Sequence, residues 1–425
     1  MKQFSTLILI MLIVAFLLRV DFIFYVIYLC IGVYAWSRWS TPRALQNLVS
    51  SRRYNSHAFW GESIPITIRL QNSGRIPLPW IRISESVAVH LKQGSQVNEL
   101  FSLGYKKSTQ FTYHITARKR GYYQLGPMHL TTGDLFGIVP PVSAVLPAEY
   151  ITIYPRIIPL TKLGLPSRLP FGTIGSRQRL FADPARPMGI RHFRSGDSIR
   201  QINWKASAHT RQLVVKTYEP AISLETAILL DLHADSYQRQ NRSNVVEWAI
   251  EVTASLAAHL VDRRQAVGLI TNGIDPMNIG AGPEFDEISG RLLRHTSAHI
   301  QENPLAYLPP HIPPRNGRVH LIKILERLAR IESDHTLPLS AWAAAAVSHL
   351  SWGVTILVIT PHGSEEVCQT LHHLVRTGFN PVLITVEPDA NFGLVRQRAH
   401  RLGFTAYNIS NLYDLDSWRR PLQTI

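Results

Sequence analysis

Asp231-Leu232-His233-Ala234-Asp235-Ser236 places an imidazole between two carboxylates at alternate positions. Imidazole and carboxylate together suit Zn²⁺ or Mn²⁺. The stretch is therefore a candidate divalent-metal site, with Asp231, His233 and Asp235 as ligands of a metal-dependent enzyme. The same pattern also fits an exposed polar loop at the carboxyl end of a strand, the edge where open α/β sheets usually hold ligands. A second stretch, from Arg191 to Ala208, groups Arg191, Arg194, Arg200 and Lys205 around one acid, Asp197. Two readings fit it. It can form a positive docking surface for an acidic partner, with Asp197 and Trp204 included. It can equally form a structural network in which Asp197 pins the arginines and Trp204 is core. Gly196-Asp197 reads as a turn, with Asp197 capping a short helix from Ser198 and Ile199, Ile202 and Trp204 packing inward.

Other catalytic chemistry finds no support. No G-x-S-x-G, H-E-x-x-H or G-x-x-x-x-G-K-[ST] occurs, so nucleotide hydrolysis by a P-loop mechanism is excluded and the chain reads as non-catalytic. Gly172-Thr173-Ile174-Gly175-Ser176 lacks the lysine and the preceding strand of a phosphate loop. His372-His373 are adjacent on a helix and face different directions. Glu365-Glu366 open a helix, where they favour its dipole. The two cysteines, Cys30 and Cys368, exclude a disulfide framework and a four-cysteine zinc site.

The elements that must position these residues follow from composition and periodicity. At about 150 residues per domain, 425 residues allow two or three domains. With 45% apolar and 17% charged residues, the chain is not mostly disordered. Phe4–Leu18 and Phe22–Trp36 are apolar runs separated by Arg19-Val20-Asp21. They predict a membrane hairpin of two short helices over 1–40, in preference to a cleaved signal peptide. Trp36 and Trp39 suit the membrane interface. Lys2, Arg38, Arg43, Arg52 and Arg53 flank the runs, which places both ends and the soluble domains in the cytoplasm, at the plasma (inner) membrane.

Residues 57–155 alternate with period two, as in Ile64–Leu70, Trp80–Ser84 and Gln110–Ile115, and predict an antiparallel β-sandwich. Residues 156–218 read as a basic linker. Between Arg156 and Lys216, twelve Lys and Arg face two acids, and this segment supplies most of the net +15. A basic surface calls for an acidic protein face, a membrane or a nucleic acid. Nucleic acid is not expected, because no stacking platform interleaves the charges. Residues 219–425 alternate strand and helix, which predicts a doubly wound parallel sheet. Its strands fall at Ala227–Leu230, Ala266–Ile270, Val354–Ile359, Val382–Val386 and Ala406–Ile409. Asp275–Arg315 fits no regular element.

The stretch around Trp204 resembles the signature of the bacterial domain-of-unknown-function family 58: an aromatic, then P-G-D, then R-x-I-x-W-x-A-S-A. Here Phe193 is followed by Ser195-Gly196-Asp197 and by Arg200-Gln201-Ile202-Asn203-Trp204-Lys205-Ala206-Ser207-Ala208, with Ser195 in the proline position. Arg120–Pro127 and Gly133-Asp134-Leu135-Phe136-Gly137 also look like family positions. The resemblance implies a membrane-anchored protein with a β-sandwich and a von Willebrand factor A-like domain. It further implies an adaptor in protein assembly or maturation, partnered with a MoxR-type AAA+ ATPase. Such domains often carry a Mg²⁺ site whose first loop reads D-x-S-x-S. Here only Asp231 stands, an arginine (Arg318) lies near the later threonine position, and Thr360-Pro361-His362 offers no aspartate. The Mg²⁺ site is therefore expected to be lost or altered.

Overall fold

The computed structural model describes residues 10–11, 13–14, 21–88, 91, 96–160, 182–194, 199, 202–220, 225–278 and 308–417. The chain divides into two units. One is Met1–Arg156 with Asp275–Thr296 and Leu325–Ile331, and the other is Ile157–Ile274 with Ser297–Ile324 and Glu332–Ile425.

In the first unit, helix α1 (Asp21–Ala44) runs for 24 residues. Its Phe22–Ala44 stretch is long and apolar enough to cross a membrane. The helix continues past the apolar run that ends at Trp36 because Ser37, Ser40, Thr41 and Ala44 are buried. Their spacing puts them on one face, so tertiary burial extends what hydropathy alone would stop. Asp21, expected in a turn, lies within helix α1 as its first residue. The expected helix Phe4–Leu18 and the turn at Arg19-Val20 fall almost wholly outside the described residues.

Nine strands follow: β1 (Leu48–Arg53), β2 (His57–Ala58), β3 (Ser63–Asn72), β4 (Leu78–Val87), β5 (Gln96–Leu103), β6 (Ser108–Thr116), β7 (Gly121–Thr132), β8 (Val142–Leu146) and β9 (Glu149–Ile153). They make one sheet of order β1-β3-β6 and another of order β2-β9-β7-β4-β5, with β8 on β7. Alternation does the work the sequence predicts. Ile64, Ile66, Ile68 and Leu70 of β3 are buried and share one core with Ile81 and Ile83 of β4 and Leu125 and Leu130 of β7. Charge is buried here as well. Arg52 pairs with Glu85, and the Tyr113 hydroxyl donates to Glu85 Oε2 at 2.8 Å. Burial pushes the Glu85 carboxyl up, against the pull of Arg52 and Tyr113.

The remaining elements, in chain order, are β10 (Ala182–His192), α2 (Trp204–Thr210), β11 (Val214–Pro220), β12 (Thr226–Leu230), α3 (Arg242–Asp262), β13 (Val267–Thr271), β14 (Ile312–Arg315), α4 (Arg318–Arg330), α5 (Leu339–Val347), β15 (Thr355–Thr360), α6 (Glu365–Arg376), β16 (Asn380–Thr385), α7 (Phe392–Leu402), β17 (Thr405–Asn408) and α8 (Leu412–Ser417). The main sheet of the second unit has the order β14-β13-β12-β15-β16-β17. All neighbours are parallel except β14, which is antiparallel to β13. Both faces are covered. Ala227 and Leu229 pack with residues of α5, α6 and α7. Ile228 and Leu230, which alternation turns to the opposite face, are equally buried. Continuous apolar strands are what a doubly covered parallel sheet requires. The five parallel strands and their helices lie where the sequence puts them. Strand β14 is an addition, in a region read as irregular.

Candidate functional site

Asp231 follows the central strand β12, at the carboxyl edge where the sheet order reverses. Its side chain is buried and engaged by the protein itself. Asn272 Nδ2 donates to Asp231 Oδ1 at 2.8 Å and the His233 amide donates to the same atom at 3.1 Å. The Thr360 hydroxyl donates to Oδ2 at 3.1 Å. Asn272 follows β13 and Thr360 closes β15, so the two strands beside β12 deliver these donors. Burial raises the Asp231 pKa, while the Asn272, His233 and Thr360 hydrogen bonds favour the carboxylate.

His233 and Asp235 do not join Asp231 around a common point. Asp235 is exposed and lies 3.1 Å from His335 Nδ1 and 3.8 Å from His233 Nε2. The hydrogen bond from His335 holds the Asp235 carboxyl below the ordinary range. A further pair at this edge joins His362 Nε2 to Glu387 Oε2 at 2.6 Å. Among the described residues, no three His, Cys, Asp or Glu side chains are grouped to hold a metal ion. Both carboxylate oxygens of Asp231 are engaged by the protein's own amide and hydroxyl groups, and the His233 and Asp235 side chains do not converge on them. The residues present do not fit Mg²⁺ or a transition metal on Asp231, His233 and Asp235.

The family-signature stretch lies on a ribbon of β10 and β11. Val215 of β11 pairs with Arg191 on one side and with Ile202 on the other. Ile202 is buried, as expected. Asn203 caps α2, its side chain accepting from the Ala206 amide at 3.2 Å. Ser207 is buried, and its hydroxyl oxygen accepts from the Val214 amide at 3.0 Å. The small residues of the signature thus let α2 sit close to β11. Trp204 does not pack inward: it is 64% exposed at the open start of α2. Ile199, also expected inward, is exposed. The contact between α2 and β11 is made through Ser207, which leaves the Trp204 ring outside. Arg191, Arg194 and Lys205 are exposed as well. Asp197 and Arg200 lie outside the described residues.

The sequence reading missed Asn272, Thr360 and His335 as partners of Asp231 and Asp235. Asn272-Gly273 directly after a buried strand was the available signal, since polar residues at that edge face the first strand's carboxylate.

The geometry defines a class of chain: an apolar N-terminal helix, a two-layer β unit, and an α/β unit bearing a basic-aromatic ribbon. The family described as "Protein of unknown function DUF58" matches residues 189–302, the stretch that begins with this ribbon. "Uncharacterized protein YeaD" of Bacillus subtilis (strain 168) is 23% identical over 239 residues, covering 55% of this chain and 58% of the relative. The chain is thus similar to the DUF58 family over that stretch, and it spans a little over half the length of the curated relative it matches. Among solved structures, a CARDB domain from Pyrococcus furiosus matches 25% of this chain and 91% of its own at 16% identity, with a TM-score of 0.19. A beta-glucosidase from Listeria innocua matches 25% of this chain and 16% of its own at 11% identity, with a TM-score of 0.16. Likenesses at that level do not define a shared fold.

Proposed function

We propose that this protein is a membrane-anchored, non-catalytic adaptor that docks an acidic protein partner through the β10–β11–α2 ribbon. The observation that carries the reading is Trp204, an aromatic side chain of the signature stretch held outside the core, on a segment that also exposes Arg191, Arg194 and Lys205. Tryptophan and arginine dominate the energetics of protein interfaces, and the basic surround selects an acidic face and speeds encounter with it. The family resemblance supplies the partner class, a MoxR-type AAA+ ATPase, with a role in protein assembly or maturation. The strand order of the α/β unit supports its reading as a von Willebrand factor A-like module. Helix α1 supports an integral membrane anchor, with basic residues Arg38 and Arg43 on the cytoplasmic side.

The test is direct binding of the detergent-solubilised full chain to the purified MoxR-type ATPase from the same organism. Trp204→Ala is expected to weaken binding by about 30-fold, the size of an interface hot spot. The combined reversal Arg191→Glu, Arg194→Glu and Lys205→Glu should abolish it while leaving the circular dichroism spectrum unchanged. Binding that is unaffected by both changes overturns the docking role of this surface.

A further inference from the structure

We infer that the Gly133–Gly137 loop dips into the membrane leaflet entered by α1, and that the groove between this loop and α1 is filled by lipid. The inference rests on the membrane-anchor reading of α1. The loop is built by its own polar groups. The Asp134 carboxylate accepts from the amides of Phe136 at 3.2 Å, Ile138 at 3.0 Å and Val139 at 3.2 Å. Trp80 Nε1 donates to the Asp134 carbonyl at 3.1 Å. A Cβ at Gly133 would stand 2.7 Å from the Trp80 ring, and Gly137 takes a positive φ of 65°. With its polar atoms turned to the backbone, the loop presents its two apolar side chains outward: Leu135 is 73% exposed and Phe136 69%.

Single exposed apolar residues are ordinary on any protein. These two are different in place. With Tyr28, Leu29, Val33 and Trp36 of α1 they line a groove of about 540 Å³. Trp36 and Trp39 mark the interface depth on α1. Tyr28 precedes Trp36 by eight positions, about 12 Å of helix toward the bilayer centre. In a hydrocarbon core about 30 Å thick, a groove reaching that depth faces acyl chains. Its other end carries Ser37, Ser40 and Thr41, while Arg38 and Arg43 are exposed at headgroup level. A mainly apolar groove with hydroxyl side chains toward its Ala44 end, and cations nearby on α1, matches a phospholipid standing upright along the helix. The apolar loop closes the groove from the side of the β unit.

The experiment uses the full chain in liposomes of phosphatidylcholine and phosphatidylglycerol, with Cys30→Ser removing the accessible native thiol. Cys368 is fully buried and stays. An environment-sensitive fluorophore is attached in turn at Phe136→Cys, at Leu29→Cys on α1 and at Val145→Cys on β8, an exposed position of the β unit. Lipids brominated along their acyl chains and aqueous iodide serve as quenchers. Loss of emission to bromolipid, without loss to iodide, is expected at both 136 and 29, and the reverse at 145. If 29 is quenched by bromolipid while 136 behaves like 145, the loop inference fails and the anchor reading stands. If 29 itself is open to iodide, the anchor reading fails and takes this inference with it. Shielding of 136 from both quenchers means that protein covers the loop, which also overturns the lipid assignment.

Discussion

Asn272, Thr360 and the His233 amide each donate to Asp231, so removing that carboxylate strands three donors at a buried position. An unsatisfied buried polar group costs about 1–3 kcal/mol. Asp231→Ala is therefore expected to destabilise the α/β unit by about 2–4 kcal/mol once part of the loss is recovered by relaxation. Because the donors are the protein's own, excess Mn²⁺, Zn²⁺ or a chelator should leave the wild-type melting temperature where it is. A melting temperature that rises with Zn²⁺, and ceases to do so in His233→Ala, would establish the metal-site reading instead. The sequence made Asp231 visible as the residue ending an apolar strand. It hid Asn272 and Thr360, which stand 41 and 129 residues further along and meet Asp231 only through strand order. Trp204 was legible as a docking or a core residue, and the sequence did not decide between the two. An aromatic beside two apolar residues suggests a core, and only the close seat of Ser207 against β11 shows that no room was left for the ring.

At the scale of elements, legibility tracked burial. The β3 alternation and the unbroken apolar runs of β12 and β15 were readable because each strand answers to one physical demand, a half-buried or a fully buried face. Strand β14 answers to none. It is four residues long, contains Pro313 and Pro314, and occupies the sheet edge, where prolines are tolerated because the missing donor would face outward. What admits it is Gly268 on the neighbouring strand. A Cβ there would lie 2.7 Å from the Ile312 carbonyl oxygen and 2.9 Å from the Pro314 nitrogen. Gly268→Ala must push β14 off the edge or strain β13, at an expected cost of about 1–3 kcal/mol. Hydrogen exchange should show the loss at β14 and β13, with β16 and β17 unchanged. Uniform exchange across the sheet, equal to wild type, would mean that the edge pairing does not depend on the glycine.

The whole molecule holds two separate cores, and each buries a titratable group of opposite sense. In the β unit, burial raises Glu85 above 4.5, so the folded state binds its proton more tightly than the unfolded chain does. That contribution is complete below 4.5 and is lost as pH rises through the folded value. In the α/β unit, His259 of α3 is buried and its Nδ1 has no hydrogen-bond partner. Burial, with Arg263 nearby, lowers its pKa below 6.5, so the folded state resists protonation. That contribution is intact above 6.5 and is lost as pH falls through the folded value. Acidification from about pH 8 to about pH 5.5 should therefore weaken the α/β core, with a slope of at most about 1.4 kcal/mol per pH unit from one histidine. Glu85 acts in the other direction on the β core, as pH passes between 4.5 and its raised folded value. Hydrogen exchange corrected for intrinsic rates reads the two separately, through β15 for one and β3 for the other. Protection of β15 is expected to fall relative to β3, and His259→Gln should flatten that difference even though it lowers stability at every pH. Parallel changes in both strands, insensitive to His259, would place the origin of the acid response outside these two groups.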